Sequence, residues 1–434
     1  MKSNAMLSYL VKGLLRDRSR TLFPLLVISA GVLIIVFSLA FMQGYRDSII
    51  RQNARFQTGH LKIVSKAYAE LIDQKPTDLG FIDIEDDLSE WRKVYPQMSF
   101  LPRMSFGALM DVPDRDGFTR AQGDVIGMGI SFAPSRDKDA MSGDVENLRL
   151  KDILRKGSLP YGDGQILVSD KVFNRLGLAL GDTITLIGAS VYGAMSMRNF
   201  SVCGTIEFGM EALDRGGVIA DIRDIRSFLD MPDGATEILV FANDGKYRQD
   251  ALDRFKADFN KRFSVSDEEF SPLALTLRDQ NQMGAILSMF DYSINLITTV
   301  FIFVMGIVLW NSGLMSCIRR YQEIGVRLAM GEHKMHLYLS LIVEALCIGL
   351  IGSLIGTLIG LGISAYFNKY GLDVSAYNRS SNILSENLVF TSIDLKTSLW
   401  GFIPGVLSTV LGSALAGSVI FKRKTSQLFK ELEV

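Results

Sequence analysis

Residues 319–362 read RRYQEIGVRLAMGEHKMHLYLSLIVEALCIGLIGSLIGTLIGLG. A short charged segment stands first, and an apolar run with regularly spaced glycines follows it. The apolar run extends over residues 337–367. It exceeds the roughly 20 residues that a helix needs to cross the hydrocarbon core of a bilayer. The stretch therefore predicts a membrane helix that is preceded by a short charged helix outside the lipid.

Three more apolar runs of similar length occur, at residues 22–42, 292–317 and 399–421. The first contains no charged residue, is too long for the core of a signal peptide, and lacks a cleavage pattern of small residues after it. We therefore expect it to be retained, and the chain to have four transmembrane helices.

Basic residues indicate the orientation of these helices. The segment before the first run (without residues 1–5, which we expect to be a cloning remnant), the loop between the second and third runs, and the C-terminal tail each contain four Lys or Arg. The segment between the third and fourth runs contains three. Because basic residues concentrate on the cytoplasmic side, both termini are expected there. The large domain is then predicted to lie outside the cytoplasm.

The region between the first two runs has ordinary soluble composition and alternates short β-like runs with helical ones. It predicts an extracytoplasmic α+β domain of two subdomains, one inserted into the other. The fold class is therefore an α-helical membrane protein with a large α+β domain carried on two helical segments, here called stalks. The predicted segments are an interfacial helix 6–21, membrane helix 22–42, stalk 43–56, outer domain 57–274 with its inserted subdomain at about 136–235, stalk 275–291, membrane helix 292–317, charged cytoplasmic helix 318–336, membrane helix 337–367, outer loop 368–398, membrane helix 399–421 and tail 422–434.

Composition and motifs exclude several functions. The formal net charge is −1 and no basic stripe suggests nucleic acid. Cys203 is the only cysteine in the predicted outer domain, so a disulfide within that domain is not expected. No Ser/His/Asp set, metal cluster or G-x-x-x-x-G-K-[ST] phosphate loop is present in the sequence. We expect no catalytic residue, metal or cofactor on this chain.

The charged segment and the helix after it resemble the permeases of the MacB/FtsX superfamily, the type VII ABC transporters. The matching residues are Glu323, Ile324, Gly325, Arg327, Leu328 and Gly331. The stretches LLRDRSRTLFPLLVISAGV, ILVSDKVFNRLGLALGDTITL and FSVCGTIEFGMEALDRGGVIAD are also similar to recurring parts of that family. The resemblance implies porter-like and sabre-like subdomains and a location in a bacterial inner membrane. It also implies that residues 318–336 are a coupling helix that rests in a groove of a separate ATPase, which would bind ATP with Mg²⁺.

The residues of the coupling segment are compatible with docking. Glu323 and Arg327 are spaced for an i,i+4 pair, and Ile324 and Leu328 are spaced to form an apolar ridge on an adjoining face. The alternative is that the basic residues here only obey the positive-inside rule.

The resemblance also implies the assembly. Without a phosphate loop, the chain is closest to the LolC/LolE lipoprotein-releasing type, which works with a pair of ABC ATPase subunits. A second homologous permease, or a second copy of this chain, would complete the membrane part, and a periplasmic lipoprotein carrier would accept the substrate. The alternatives are MacB-like efflux of small toxic molecules or peptides and FtsX-like regulation of a cell-wall hydrolase.

Two further sets of residues are candidates within the membrane. Gly352, Gly356 and Gly360 form a face without side chains, which suits close helix packing inside one subunit or between subunits. Glu344 on the same helix is expected to bond within the bundle or to reach the interface.

The third set consists of soft or bulky apolar residues at the predicted outer ends of the first two membrane helices. We expect these residues either to pack the stalks or to border an opening for membrane lipids and a lipidated substrate. They are Phe37, Phe41, Met42, Met283, Met289 and Phe290.

Overall fold

A computed structural model describes residues 18–114, 116–132, 143–264, 268–280, 282–319, 326–373, 388–393 and 395–418. These residues divide into two compact units. The membrane unit contains the described residues up to Asp47, those of Ser288–Val374, and those from Leu388 onward. The outer unit is Ser48–Leu287. The predicted interfacial helix lies largely outside the described residues, and the tail lies entirely outside them.

The helices are numbered here in chain order. They are α1 (Arg18–Asn53), α2 (Lys66–Glu70), α3 (Glu85–Val94), α4 (Gly143–Asn147), α5 (Leu150–Ile153), α6 (Asp170–Arg175), α7 (Glu211–Gly216), α8 (Ile222–Leu229), α9 (Gln249–Phe263), α10 (Met283–Arg319), α11 (Lys334–Tyr370) and α12 (Leu395–Gly417).

Within the described residues, three helical stretches are long and apolar enough to cross a membrane: Leu22–Thr58, Met283–Asn311 and Lys334–Tyr370. They contain the first three predicted membrane helices, except for the end of the second. The apolar part of α12, Phe402–Gly417, is shorter. Residues 419–421 of the fourth predicted crossing lie outside the described residues. Four crossings therefore stay a prediction.

The outer unit is built on one mixed sheet of ten strands. They are β1 (Leu61–Ser65), β2 (Met98–Pro113), β3 (Thr119–Ile130), β4 (Leu154–Gly157), β5 (Gln165–Ser169), β6 (Thr183–Ala189), β7 (Met195–Ile206), β8 (Gly217–Asp221), β9 (Glu237–Ala242) and β10 (Pro272–Thr276). The order is β10-β1-β9-β2-β3-β8-β5-β7-β4, with β6 paired to β2 and β7.

Strand β2 belongs to both halves of this sheet. Its first part, Met98 to Arg103, pairs with β9, and its second part from Met104 pairs with β3. The apolar core of the first half comes from residues 61–100 and 235–274. The other two large cores draw almost entirely on residues 104–231. The inserted part therefore begins near residue 104 rather than 136, because a single long strand carries the chain from one core to the next.

The chain enters and leaves the outer unit on neighbouring strands. Strand β1 follows α1, and strand β10 precedes α10. The two strands pair antiparallel, from Leu61↔Thr276 to Ser65↔Pro272. The predicted stalk 275–291 is wrong in its first part. Thr276 and Asp279 form a capping box around a 3-10 turn, and α10 begins only at Met283.

The predicted outer loop 368–398 also contains regular structure. Helix α11 continues to Tyr370, and two short strands, β11 (Leu372–Asp373) and β12 (Leu388–Val389), pair antiparallel. Backbone atoms of residues 390–392 lie against Gly44 of α1, where a Cβ would come within 2.0 Å of the Phe390 oxygen. Ser392 N–H donates to Ala40 O at 3.0 Å.

Candidate functional site

The predicted coupling segment is described only in its second half. Glu323, Ile324 and Gly325 lie outside the described residues. From Val326 the chain forms one helical turn that ends at Gly331, whose φ is +91°. Gly331 N–H donates to Leu328 O at 3.1 Å, and Glu332 N–H donates to Arg327 O at 3.1 Å. This pair of bonds is a Schellman motif, which ends a helix at a glycine in the left-handed region.

The described part of the predicted apolar ridge faces its own chain. Leu328 packs against the buried Leu337 of α11, as Leu341 of the same helix also does. The large apolar side chains that are exposed on this turn are Val326, which is 51% exposed, and Met330, which is 76% exposed. Spacing alone did not distinguish the two faces, because the contact with α11 decides which face is covered.

The glycine face of α11 packs on α1 of the same chain. A Cβ at Gly356 would lie 2.5 Å from Ser29 O, and one at Gly352 would lie 2.8 Å from Ile28. Gly360 faces Val36 in the same way. The structure thus places all three glycines in packing within one chain. Glu344, on the same helix, is half-buried.

The aromatic residues at the outer end of α1 form a ladder. Phe37 and Phe41 stack with their ring centroids 6.5 Å apart, and Phe41 and Tyr45 stack at 6.3 Å. Tyr45 then meets Phe290 of α10 at 5.6 Å. Tyr45 was not among the predicted residues, although its i,i+4 spacing from Phe41 is visible in the sequence.

The predicted methionines have different surroundings. Met289 is 57% exposed, Met42 is half-buried, and Met283 is buried in the outer unit. Phe290, which neighbours Met289 in sequence, is buried. Of the residues proposed to meet lipid or substrate, Met289 has the most exposed side chain.

The outer unit has a cleft of about 730 Å³ between its two halves. Its lining includes Met98, Phe100, Arg92, Arg226 and Asp144. Asp144 in α4 is buried, and its Oδ2 accepts a hydrogen bond from Ser131 N–H at 2.9 Å. Burial raises the pKa of Asp144 to about 7. Sequence reasoning missed this carboxyl because it stands in a polar stretch that predicts a loop.

Comparisons with known proteins match parts of this chain. Residues 295–425 match the family model described as FtsX-like permease C-terminal. The chain is 28% identical over 179 residues to the macrolide export ATP-binding/permease protein MacB of Brucella abortus, which is 41% of this chain and 26% of that protein. It is 33% identical over 110 residues to the MacB of Wolinella succinogenes, or 25% of this chain and 17% of that one.

A third relative is the lipoprotein-releasing system transmembrane protein LolC of Xylella fastidiosa. It is 25% identical over 213 residues, which cover 47% of this chain and 48% of that protein. The chain thus spans about a quarter or less of these two MacB relatives and about half of the LolC relative. The solved structure of the periplasmic region of MacB from Actinobacillus actinomycetemcomitans aligns with 52% of this chain and with 91% of its own length. The TM-score is 0.33 and the sequence identity is 13%, so the structural likeness is low.

Proposed function

We propose that this chain, which is similar to permeases of the MacB/FtsX superfamily, is the membrane subunit of an ABC transporter driven by a separate ATPase pair. The observation that carries the proposal is the FtsX-like match itself. Residues 295–425 include most of α10, all of α11 and α12, and the turn at Val326 with its exposed apolar side chains. ATP and Mg²⁺ would bind the partner ATPase, and this chain would carry out no chemistry.

The proposed mechanism is mechanical. Closure of the ATPase pair on the cytoplasmic side would displace the segment before α11 and, with it, the membrane helices. Helices α1 and α10 join neighbouring strands of the outer sheet, so a change in their relative position acts on that sheet. Both termini would be cytoplasmic and the outer unit periplasmic, in the inner membrane of a bacterium.

The substrate we propose is a lipoprotein leaving the outer leaflet of that membrane. The support is the extent of the alignment with the lipoprotein-releasing protein LolC, which covers about half of both chains. The exposed Met289 adds an adaptable apolar side chain at the start of α10. A second homologous permease or a second copy of this chain would complete the assembly, and a soluble periplasmic carrier would accept the product.

Macrolide-type efflux is the second candidate function. It is supported by the sequence identity to MacB proteins, which reaches 33% in the Wolinella succinogenes relative over a short region. FtsX-like regulation of a cell-wall hydrolase is a third alternative, supported by the FtsX-like domain alone.

The test is reconstitution of the purified assembly in proteoliposomes that contain a lipoprotein. We expect ATP-dependent transfer of the lipoprotein to a soluble carrier, and none with a non-hydrolysable ATP analogue. An assembly that hydrolyses ATP but transfers no lipoprotein would refute this substrate. Export of a macrolide by the same assembly would favour the second candidate.

A further inference from the structure

Helix α1 ends inside the outer unit in an unusual turn. The turn, Ala54–Thr58, is π-helical, and Phe56 within it is buried. Gly59 follows with φ 63° and ψ −174°, a combination that is essentially limited to glycine. A Cβ at Gly59 would lie 2.3 Å from Leu61 O, so the chain passes at once into β1. Single π-helical turns are rare in proteins, but those that do occur are often found at functional sites.

Arg103 of β2 binds the open end of this turn. Its Nη1 donates to Phe56 O at 2.5 Å and its Nη2 donates to Gln57 O at 3.0 Å. Arg103 is only 2% exposed. Carbonyl groups at the end of a helix lack partners within it and bear partial negative charge. A planar guanidinium that meets two of them holds the turn in both position and direction.

A buried carboxylate fixes Arg103 in turn. Glu237 Oε1 accepts from Arg103 Nε and from Ser105 Oγ, each at 2.7 Å. Its Oε2 lies 2.5 Å from Lys62 Nζ. Burial alone would raise the pKa of Glu237. The nearby positive charges of Arg103 and Lys62 lower this pKa by more than burial raises it, so the carboxylate is ionised. Lys62, Glu237 and Arg103 belong to β1, β9 and β2, three adjacent strands.

The same turn is also bound to the other half of the outer unit. Arg55 donates from Nε to Leu148 O and from Nη2 to Arg149 O, both at 2.5 Å. The Phe56 ring packs edge-on against Phe208, with centroids 5.3 Å apart. One turn of helix therefore has directional bonds to the strands of one half and to the α4–α5 segment of the other.

We propose that this turn is the joint through which a displacement of α1 reaches both halves of the outer unit, with Arg103 and Arg55 as its positioning residues. The proposal rests on the proposed function, since the partner ATPase supplies the displacement. A buried ion pair adds little net stability compared with apolar packing. The directional bonds of this pair instead resist movement of the helix end, because such movement would leave buried charges without partners.

The joint is tested in the full chain in lipid nanodiscs, after Cys203, Cys317 and Cys347 are replaced by alanine. Spin labels are placed on α1 at Arg51 and on one half at Glu90 or on the other at Thr183; all three side chains are exposed. We expect Arg103→Lys to broaden the 51–90 distance distribution about twofold, and Arg55→Lys to broaden the 51–183 distribution similarly. Each variant keeps the positive charge but loses the planar fork.

Arg226→Lys is the matched control. Arg226 donates to Gly234 O and to Glu85, and not to a carbonyl of the turn. It should leave both distributions unchanged. If neither Arg103→Lys nor Arg55→Lys broadens a distribution while both keep the thermal midpoint within a few degrees, the joint is refuted. Should Arg103→Lys fail to fold, the Arg55→Lys result decides alone.

A second measurement separates the joint from the proposed function. In the proteoliposome assay we expect Arg103→Lys to hydrolyse ATP normally while lipoprotein released per ATP falls about tenfold. An unchanged ratio would refute the joint. If the unsubstituted chain hydrolyses ATP without releasing lipoprotein, the proposed substrate fails, and the label distances still decide whether the turn is rigidly held.

Discussion

Gly356 and Asp144 are single residues whose roles depend on distant parts of the chain. Gly356 is required because the backbone of α1 occupies the space that a side chain would need. Asp144 retains its proton at unusually high pH because the surrounding protein excludes water. Each position gives a prediction that a single substitution tests.

We expect Gly356→Ala to destabilise the membrane unit, because the new Cβ would lie 2.5 Å from Ser29 O, which is backbone and cannot rotate away. The cost should be on the order of 1–3 kcal/mol, typical of overpacking. The measurement is thermal unfolding of the detergent-solubilised chain. Gly362→Ala on the same helix is the control, since no atom lies within 4 Å of its Cβ position. Equal stability of the two variants would contradict the close approach of α11 to α1.

We expect the contribution of Asp144 to the stability of the outer unit to fall as pH rises from 5 to 8, because folded Asp144 holds its proton up to a pKa of about 7, whereas an unfolded chain releases it near 3.8. Since Asp144 holds more of its proton in the folded state than in the unfolded state in this window, its contribution to stability decreases with pH, by on the order of 3 kcal/mol. Asp144→Asn should remove this loss and be more stable than the original chain at pH 8.

Hydrogen exchange of the β3 and α4 amides in the full chain, at pH 5 and pH 8 with correction for intrinsic rates, measures this effect. Asn still offers an oxygen to Ser131 N–H, so the hydrogen bond is preserved. A variant that loses as much protection as the original chain between the two pH values would show that another group is responsible.

Among the helices and strands, the turn at Val326 and the helix α11 behave as one element. The Schellman bonds at Gly331 end the turn, and Leu328 holds it against α11. Because this packing covers part of Leu328, the large side chains most open to a partner are Val326 and Met330. The docking surface that we predict therefore includes Val326 and Met330 rather than Leu328.

We expect the double substitution Val326→Asp and Met330→Asp to abolish copurification of the ATPase, because two desolvated carboxylates would oppose an apolar groove. The chain should still insert in the membrane, since neither side chain is buried. Val326→Ile with Met330→Leu keeps the surface apolar and should retain the ATPase. Undiminished ATPase capture by the double Asp variant would contradict docking at this turn.

At the scale of the whole molecule, helices α1 and α10 connect the outer unit to the membrane unit, and each is attached to one of two paired strands. Within the membrane unit, the aromatic ladder of α1 reaches Phe290 of α10. The buried Phe290 and the exposed Met289 thus stand side by side in sequence with opposite surroundings. The difference in exposure between these two neighbours allows a test of whether substrate contacts the protein near the start of α10.

We expect a photo-crosslinker at Met289 to capture a lipidated protein during turnover, because this side chain is 57% exposed. The same crosslinker at Phe290, which is 5% exposed, should capture none or only neighbouring parts of this chain. Crosslinked products are identified by mass spectrometry of the reconstituted assembly. Capture of lipoprotein at neither position, while other positions on the chain do capture it, would rule out this route.

The sequence by itself indicated three of the apolar helices that are long enough to cross a membrane, the α+β character of the outer unit, and the resemblance to MacB/FtsX permeases, which the comparisons support. Apolar run length, alternation and glycine spacing are local properties that one segment shows alone. Contacts between distant segments were decided only by the tertiary structure: Arg103 meets Phe56 across 47 positions, and Glu237 meets Arg103 across 134. No local pattern records such a pairing, since the strand order that creates it depends on the packing of the whole sheet.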